Sequence, residues 1–257
     1  MSEKNRDGKR TARERLAVER EKQKAAERRR RALIVGASVV CVLGLAAVIG
    51  VLAANAGKDK ESSAGPAVAP SGAQGKDSLA VPVGKDDAKS TLTVWEDFRC
   101  PACQAFEVAY RPTLHELTDA GKLRIEYHLV RLIDGNLGGS GSLRAANAAA
   151  CAQNAGKFRD YHDVLYANQP KETDDAFANN DKLIELAGKV KGLDTPAFRT
   201  CVKDGTHDSW VDKSNQAFRT GGLTGTPTVL LGGKNIYQDQ TMTPAKLKQM
   251  VEAADRG

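Results

Sequence analysis

Aromatic residues make up only 5% of the 257-residue sequence, and several chemical signatures are missing altogether. There is no glycine-rich phosphate loop, no pair of catalytic carboxylates and no Ser–His arrangement, so nucleotide-dependent transfer, glycosidic cleavage and serine hydrolysis find no residues to run on. His115, His128, His162 and His207 are scattered and no second C-x-x-C exists. The ligand sets of tetrahedral zinc are therefore missing, and neither metal nor cofactor is expected. Basic excess is also missing from most of the chain. Residues 1–31 carry 13 Lys/Arg against 6 Asp/Glu, a net of +7, whereas the whole chain sums to +6. Beyond the tail nothing remains to neutralise phosphates, which argues against a nucleic-acid partner for the folded part.

After the tail comes an uncharged apolar run at 32–54, with Ser38 and Cys41 its only mildly polar residues. As a helix it would reach about 34 Å, enough to span a hydrocarbon core of about 30 Å. Arg28 to Arg31 abut its start, and the charge from Lys58 onward is mixed. Positive-inside bias then predicts a single-pass cell-membrane helix with a cytoplasmic N-terminus and an extracytoplasmic remainder. A cleaved signal peptide is the competing reading, and Ala54-Asn55-Ala56 would suit its cleavage. The run is about twice a usual signal core and its leading tail is too long, which favours an uncleaved anchor. The domain plan is a basic tail at 1–31, a membrane helix at 32–54, a flexible tether rich in Ala, Gly, Ser, Pro and Lys at 55–77, and a folded domain at 78–257.

In that domain, residues 79–83 predict an edge strand containing Pro82, and the β-branched residues 91–95 predict a buried one. Cys100-Pro101 opens a helix, with proline suited to its first position, and residues 123–130 form a second strand. This is a parallel strand–helix–strand unit. From about 140 to 220 the apolar period becomes helical, with Cys151, Phe158 and Leu165 predicted on one stripe. Asp181, Thr195 and Thr243 are the expected helix caps. Residues 228–231 and 235–237 are expected to form a hairpin around Gly232-Gly233-Lys234.

Chemistry concentrates on four cysteines, Cys41 being a small hydrophobe in the apolar run. Cys100-Pro101-Ala102-Cys103 stands after a buried strand, at a helix start. There, unpaired N–H groups and the macrodipole stabilise a thiolate on Cys100, and Cys103, one turn in, can attack a mixed disulfide formed at it. A short structural disulfide is the plainer alternative. In Gly225-Thr226-Pro227-Thr228 a proline enters a strand, a candidate cis bond that would leave the Thr226 carbonyl and N–H open to a substrate strand; an ordinary trans-proline turn is the alternative.

Residues 95–103 (Trp95 through Cys103), Ala148 to Gln153 with Gly156-Lys157-Phe158, and Gly225 to Thr228 resemble the DsbA-type thioredoxin-fold oxidoreductases, particularly membrane-anchored actinobacterial ones. The resemblance covers about residues 78–257. It implies an α/β thioredoxin fold interrupted by a helical insertion, with Cys100 as nucleophile, Cys103 as resolving thiol and cis-Pro227 facing them. Pro101, Ala102 and Trp95 would be their neighbours. It also implies a structural disulfide between Cys151 and Cys201, and both residues lie beside apolar helical positions; two free buried thiols are the alternative. Two positions depart from the family. Ala102 replaces the histidine or aromatic residue common between Pro and the second Cys, and Val94 stands six before the first Cys, where many relatives have an acid.

The expected function is extracytoplasmic introduction of disulfides into exported cysteine-containing proteins, with a membrane redox partner for re-oxidation. A reductase or isomerase of the same fold is the alternative, and a non-catalytic tethered binding module the third reading.

Overall fold

Strand β2 (Ser90–Glu96) sets the frame of the computed structural model, which describes residues 67–256. Ser90, Leu92, Val94 and Glu96 are buried while Thr91, Thr93 and Trp95 are half-buried, the period of two of a strand covered unequally on its two faces. Helix α1 (Pro101–Asp119) crosses over to β3 (Leu123–Leu129), which runs parallel to β2 with Val94 opposite Tyr127. At the edge, β1 (Val81–Val83) lies antiparallel to β3, a position that tolerates Pro82. On the other side β4 (Thr228–Leu231) pairs antiparallel with β2 and turns through Gly232-Gly233 into β5 (Lys234–Asn235), giving the order β1-β3-β2-β4-β5. The return strand is shorter than expected. Asn235 Oδ1 accepts the N–H of Tyr237 at 3.0 Å and so turns the chain out of the sheet before that residue.

Between β3 and β4 lie α2 (Leu132–Leu137), α3 (Gly141–Asn154), α4 (Phe158–Ala167), α5 (Asn180–Ala187), α6 (Pro196–Asp204) and α7 (Asp208–Thr220). The helical insertion thus begins at Leu132, ahead of the expected 140. Helix α3 is its axle. Ala145, Ala146, Ala148, Ala149, Ala150 and Ala152 are fully buried, and these small side chains let α4, α6 and α7 close around it. The last helix, α8 (Pro244–Arg256), packs beside α1 on the sheet.

Three local expectations are corrected. Cys151 does not share a helix with Phe158 and Leu165, because α3 ends at Asn154 and the chain turns through Gly156 at φ 66°, a left-handed conformation that glycine adopts freely. Asn179, not Asp181, caps α5: its Oδ1 accepts the Asp181 N–H at 2.9 Å. The packed chain also starts before Ser78. Ser71 N donates to Asn154 Oδ1 at 2.8 Å, and the Val68 carbonyl lies 2.7 Å from His207 Nδ1, so residues 67–77 of the expected tether are seated on the helical insertion. Thr195 and Thr243 cap as expected, accepting from Phe198 N at 3.2 Å and Lys246 N at 3.1 Å.

The tail at 1–31, the apolar run at 32–54 and the tether as far as residue 66 lie outside the described residues. Among the described residues no helix is long and apolar enough to cross a membrane.

Candidate active site

The site grows from the end of β2. Buried Asp97 comes directly after the strand and accepts two backbone N–H groups, Arg99 N at Oδ1 and Ile133 N at Oδ2, both at 2.8 Å. The Asp97 carbonyl accepts the Cys100 N–H at 3.0 Å, which tightens the turn into α1. Burial pushes the Asp97 carboxyl up to about 7 despite those donors.

Cys100 is the N-cap of α1, with extended backbone and Pro101 at the first helical position. No side chain caps this end, so its N–H groups point at the sulfur. Opposite it, the Thr226–Pro227 peptide is cis, and the Cys100 thiol donates to the Thr226 carbonyl at 3.2 Å. The carbonyl expected to stand open for substrate thus already has a partner in the dithiol form. Cys103 lies one turn into α1 and is fully buried, whereas Cys100 keeps 6% of its surface.

This asymmetry separates the two thiols chemically. Hydrogen bonding from Cys103 is the main force lowering Cys100 from 9.0 to about 6; it outweighs burial and is helped by the Thr226 side chain and the N–H groups of Cys103 and Ala102. Cys103 moves the other way, driven well above 9.0 by burial, by its hydrogen bond to Cys100 and by the neighbouring negative charge. At neutral pH one sulfur is a thiolate with an opening to solvent and the other a sealed thiol.

Arg99, beside the nucleophile, ties the loop to the helical insertion. Its guanidinium is buried, 2.7 Å from Asp134 and 2.9 Å from Asp175, and donates to the carbonyls of Gly138 at 2.9 Å and Glu172 at 3.0 Å. Gln169 Nε2 adds bonds to the carbonyls of Phe98 at 2.8 Å and Cys100 at 3.1 Å. Beneath the site His162 Nε2 lies 2.8 Å from Glu96 Oε1, with Glu107 close by.

The structure brings Cys100, Pro101, Ala102, Cys103, Thr226 and Pro227 together. Trp95 is not among them: it faces the other side of β2, stacked on His128 with ring centroids 4.0 Å apart and leaning on Phe218. Cys151 and Cys201 are joined in a disulfide, Cα atoms 5.9 Å apart, tying α3 to α6. Two groups among the described residues bring three possible metal donors within 4.8 Å of one another. In Cys151/Cys201/His207 the sulfurs are consumed by the disulfide, and in Glu96/Glu107/His162 the imidazole already faces Glu96. Sequence reasoning missed Arg99, Glu107 and His162 as participants. Glu107 had one visible signal, its place four residues after Cys103 on the same helical face.

Comparison with known proteins agrees with this geometry. A family model described as Thioredoxin matches residues 77–253. The "Probable disulfide bond formation protein D" of Bacillus cereus is 28% identical over 154 residues, covering 59% of this chain and 69% of that protein. Reduced DsbG from Mycobacterium tuberculosis aligns with a TM-score of 0.61 at 28% identity, over 72% of this chain and 90% of that one. Reduced DsbA from the same organism aligns at 0.60 and 27% identity, over 70% and 93%. The chain belongs to the thioredoxin family and is a DsbA-type thiol–disulfide oxidoreductase.

Proposed function

We propose that Cys100 and Cys103 are the redox pair of an extracytoplasmic dithiol oxidase that introduces disulfides into exported, cysteine-containing proteins. One observation carries the reading: the Cys100 sulfur sits at the uncapped start of α1, held as a thiolate near neutral pH, while Cys103 is sealed behind it. A stabilised thiolate is a good leaving group, and a dithiol form stabilised in this way makes its disulfide the stronger oxidant. The name of the Bacillus cereus relative, which refers to disulfide bond formation, supports the same direction.

A substrate thiolate attacks Cys100 Sγ of the Cys100–Cys103 disulfide. A substrate–Cys100 bond forms, the old S–S bond breaks, and its electron pair leaves on Cys103, which takes a proton. The substrate's second thiolate then attacks its own sulfur in the mixed disulfide and expels the Cys100 thiolate. The substrate has lost two electrons and the Cys pair holds them. A membrane redox partner re-oxidises the pair, and the apolar run at 32–54 anchors the domain beside it with the N-terminus in the cytoplasm.

The Cys103→Ala chain, expressed whole, is the test. It should accumulate mixed disulfides through Cys100 with exported proteins identifiable by mass spectrometry. A chain that traps none would overturn the reading. A reduction potential near thioredoxin's, roughly −270 mV, would reverse the direction to reductase.

A further inference from the structure

Two glutamines bridge the start of α1 and the end of α4 in opposite directions. Gln169, two residues past α4, donates from Nε2 to the Phe98 carbonyl at 2.8 Å and to the Cys100 carbonyl at 3.1 Å. Both hydrogens of one primary amide are used in these bonds. Gln104, four residues after Cys100, donates from its own Nε2 to the Tyr166 carbonyl at 2.8 Å. Each helix end thus receives an amide from the other.

The chain around Gln169 is built to present it. Pro170 follows, which turns Gln169 away from helical backbone, and α4 ends at Ala167. Asn168 fixes the base of the side chain. Its Nδ2 donates to the Val164 carbonyl at 2.7 Å, and its Oδ1 accepts from Lys189 Nζ, past the end of α5, at 2.8 Å. A side chain of the helical insertion is thereby held against the backbone of the nucleophile itself.

That backbone has one weak point. On its amide side Cys100 is fixed by the bond from its N–H to the Asp97 carbonyl at 3.0 Å. On its carbonyl side comes the Cys100–Pro101 peptide, whose nitrogen carries no hydrogen. The plane of that peptide is therefore held through its oxygen alone. The oxygen accepts the Gln104 N–H at 3.2 Å and the Gln169 amide. Cys100 has extended backbone there, φ −76° and ψ 117°, and this ψ decides where the next N–H groups lie relative to its sulfur.

We propose that Gln169, clasped with Gln104, is a positioning residue of the redox reaction: it sets the Cys100–Pro101 peptide so that the Ala102 and Cys103 N–H groups face the Cys100 sulfur. The proposal rests on Cys100 being the nucleophile of the redox pair. The helical insertion, and not the sheet alone, then governs how well the Cys100 thiolate is held. The step that feels this most is the one in which the substrate's second thiolate expels Cys100 from the mixed disulfide, since a better-held thiolate leaves more readily.

The electrostatics fit this use. The N–H groups of Cys103 and Ala102 are among the donors that lower Cys100 to about 6. The titratable groups that act on Cys100 are Cys103 on α1 and Tyr237 after β5. Gln169 is uncharged, so it acts on the sulfur through geometry.

The experiment follows alkylation of Cys100 by iodoacetamide in the full-length chain, with Cys100 and Cys103 reduced, between about pH 4.5 and 9, alongside thiolate absorbance. Gln169→Met keeps the length of the side chain and removes both donors. Its titration midpoint should rise, so that the rate at pH 5 falls by about 5-fold while the rate at pH 9 matches wild type. Gln104→Met should shift the midpoint in the same direction by less, with a rate at pH 5 lowered by about 2-fold. The double variant should fall short of the product of the two, because both side chains serve one clasp. A wild-type profile in folded Gln169→Met would overturn the proposal, as would a rate lowered equally at every pH, the mark of general loosening. If Gln169→Met does not fold, Gln104→Met decides alone, and a wild-type profile there overturns the clasp. Alkylation needs no protein substrate, so failure of the Cys103→Ala trap would remove the substrate reading and leave this result untouched.

Discussion

Cys100 and Thr226 are 126 residues apart in sequence, and the thiol of one donates to the carbonyl of the other at 3.2 Å. That contact joins the start of α1 to the loop entering β4, two segments that leave the antiparallel β2–β4 pairing at the same end, where Trp95 lies opposite Thr228. The nucleophile is thus held by two segments that only the closed fold brings together.

Stability of the dithiol form should depend on pH through this sulfur. Cys100 in the dithiol protein is lowered from 9.0 to about 6, so below pH 6 both folded and unfolded chains carry the thiol and the effect vanishes. Between about pH 6 and 9 the folded state holds the thiolate while the unfolded chain still binds the proton, and stability should rise by about 1.4 kcal/mol per pH unit. Urea midpoints of the dithiol form should show this rise relative to the disulfide form. Cys100→Ser should abolish it, and thiolate absorbance should titrate near pH 6.

Ala102 offers no side-chain donor to the Cys100 thiolate. Ala102→His should lower the Cys100 pKa further and make the disulfide more oxidising, by about 30 mV for each pKa unit. Equilibration with glutathione measures the shift. An unchanged potential would mean that the helix terminus and Thr226 already saturate the sulfur.

Arg99 holds buried charge in balance beside the site. Arg99→Met leaves Asp134 a buried carboxylate without its cation and should destabilise by about 3 kcal/mol, whereas Arg99→Met with Asp134→Asn, whose uncharged side chain still offers an acceptor to the Ser142 or Leu143 N–H, should recover part of that loss. Arg99→Lys should not rescue, because one ammonium cannot reach two carboxylates and two carbonyls in a fixed fork. Denaturant midpoints of the three variants decide.

The Cys151–Cys201 bridge closes a separation of 50 residues between α3 and α6. Replacing both by alanine should cost up to about 4 kcal/mol on the chain-entropy account while leaving the Cys100 titration in place. A shift in that titration would show that the helical insertion communicates with the redox pair.

Much of this protein was legible locally. Cys100-Pro101 opening a helix, Pro82 at an edge, and Thr195 and Thr243 as caps are decided by neighbours in the chain, because proline lacks an N–H and a threonine oxygen reaches only the next turn. The redox pair itself was visible in the same way, since its spacing and helix start are local facts. The residue pattern misread where elements stop. Gly156 broke a seven-residue repeat that looked continuous, and an Asn235 side chain ended a strand that looked longer.

Other features belong to the tertiary structure alone. Trp95 sits next to the motif in sequence but on the opposite face of β2, because successive strand residues point to opposite sides. Glu96, Glu107 and His162 come from a strand, a helix and the insertion, and no spacing in sequence announces their meeting. Their charges, like the separation of Cys100 from Cys103, depend on burial and on partners supplied from afar. Residue order alone marked which positions carry sulfur chemistry and which segments form helix and strand. The helix start already pointed to Cys100 as the thiolate; packing decided how far the two sulfurs are driven apart, because a pKa answers to the dielectric and the hydrogen bonds that only a closed fold creates.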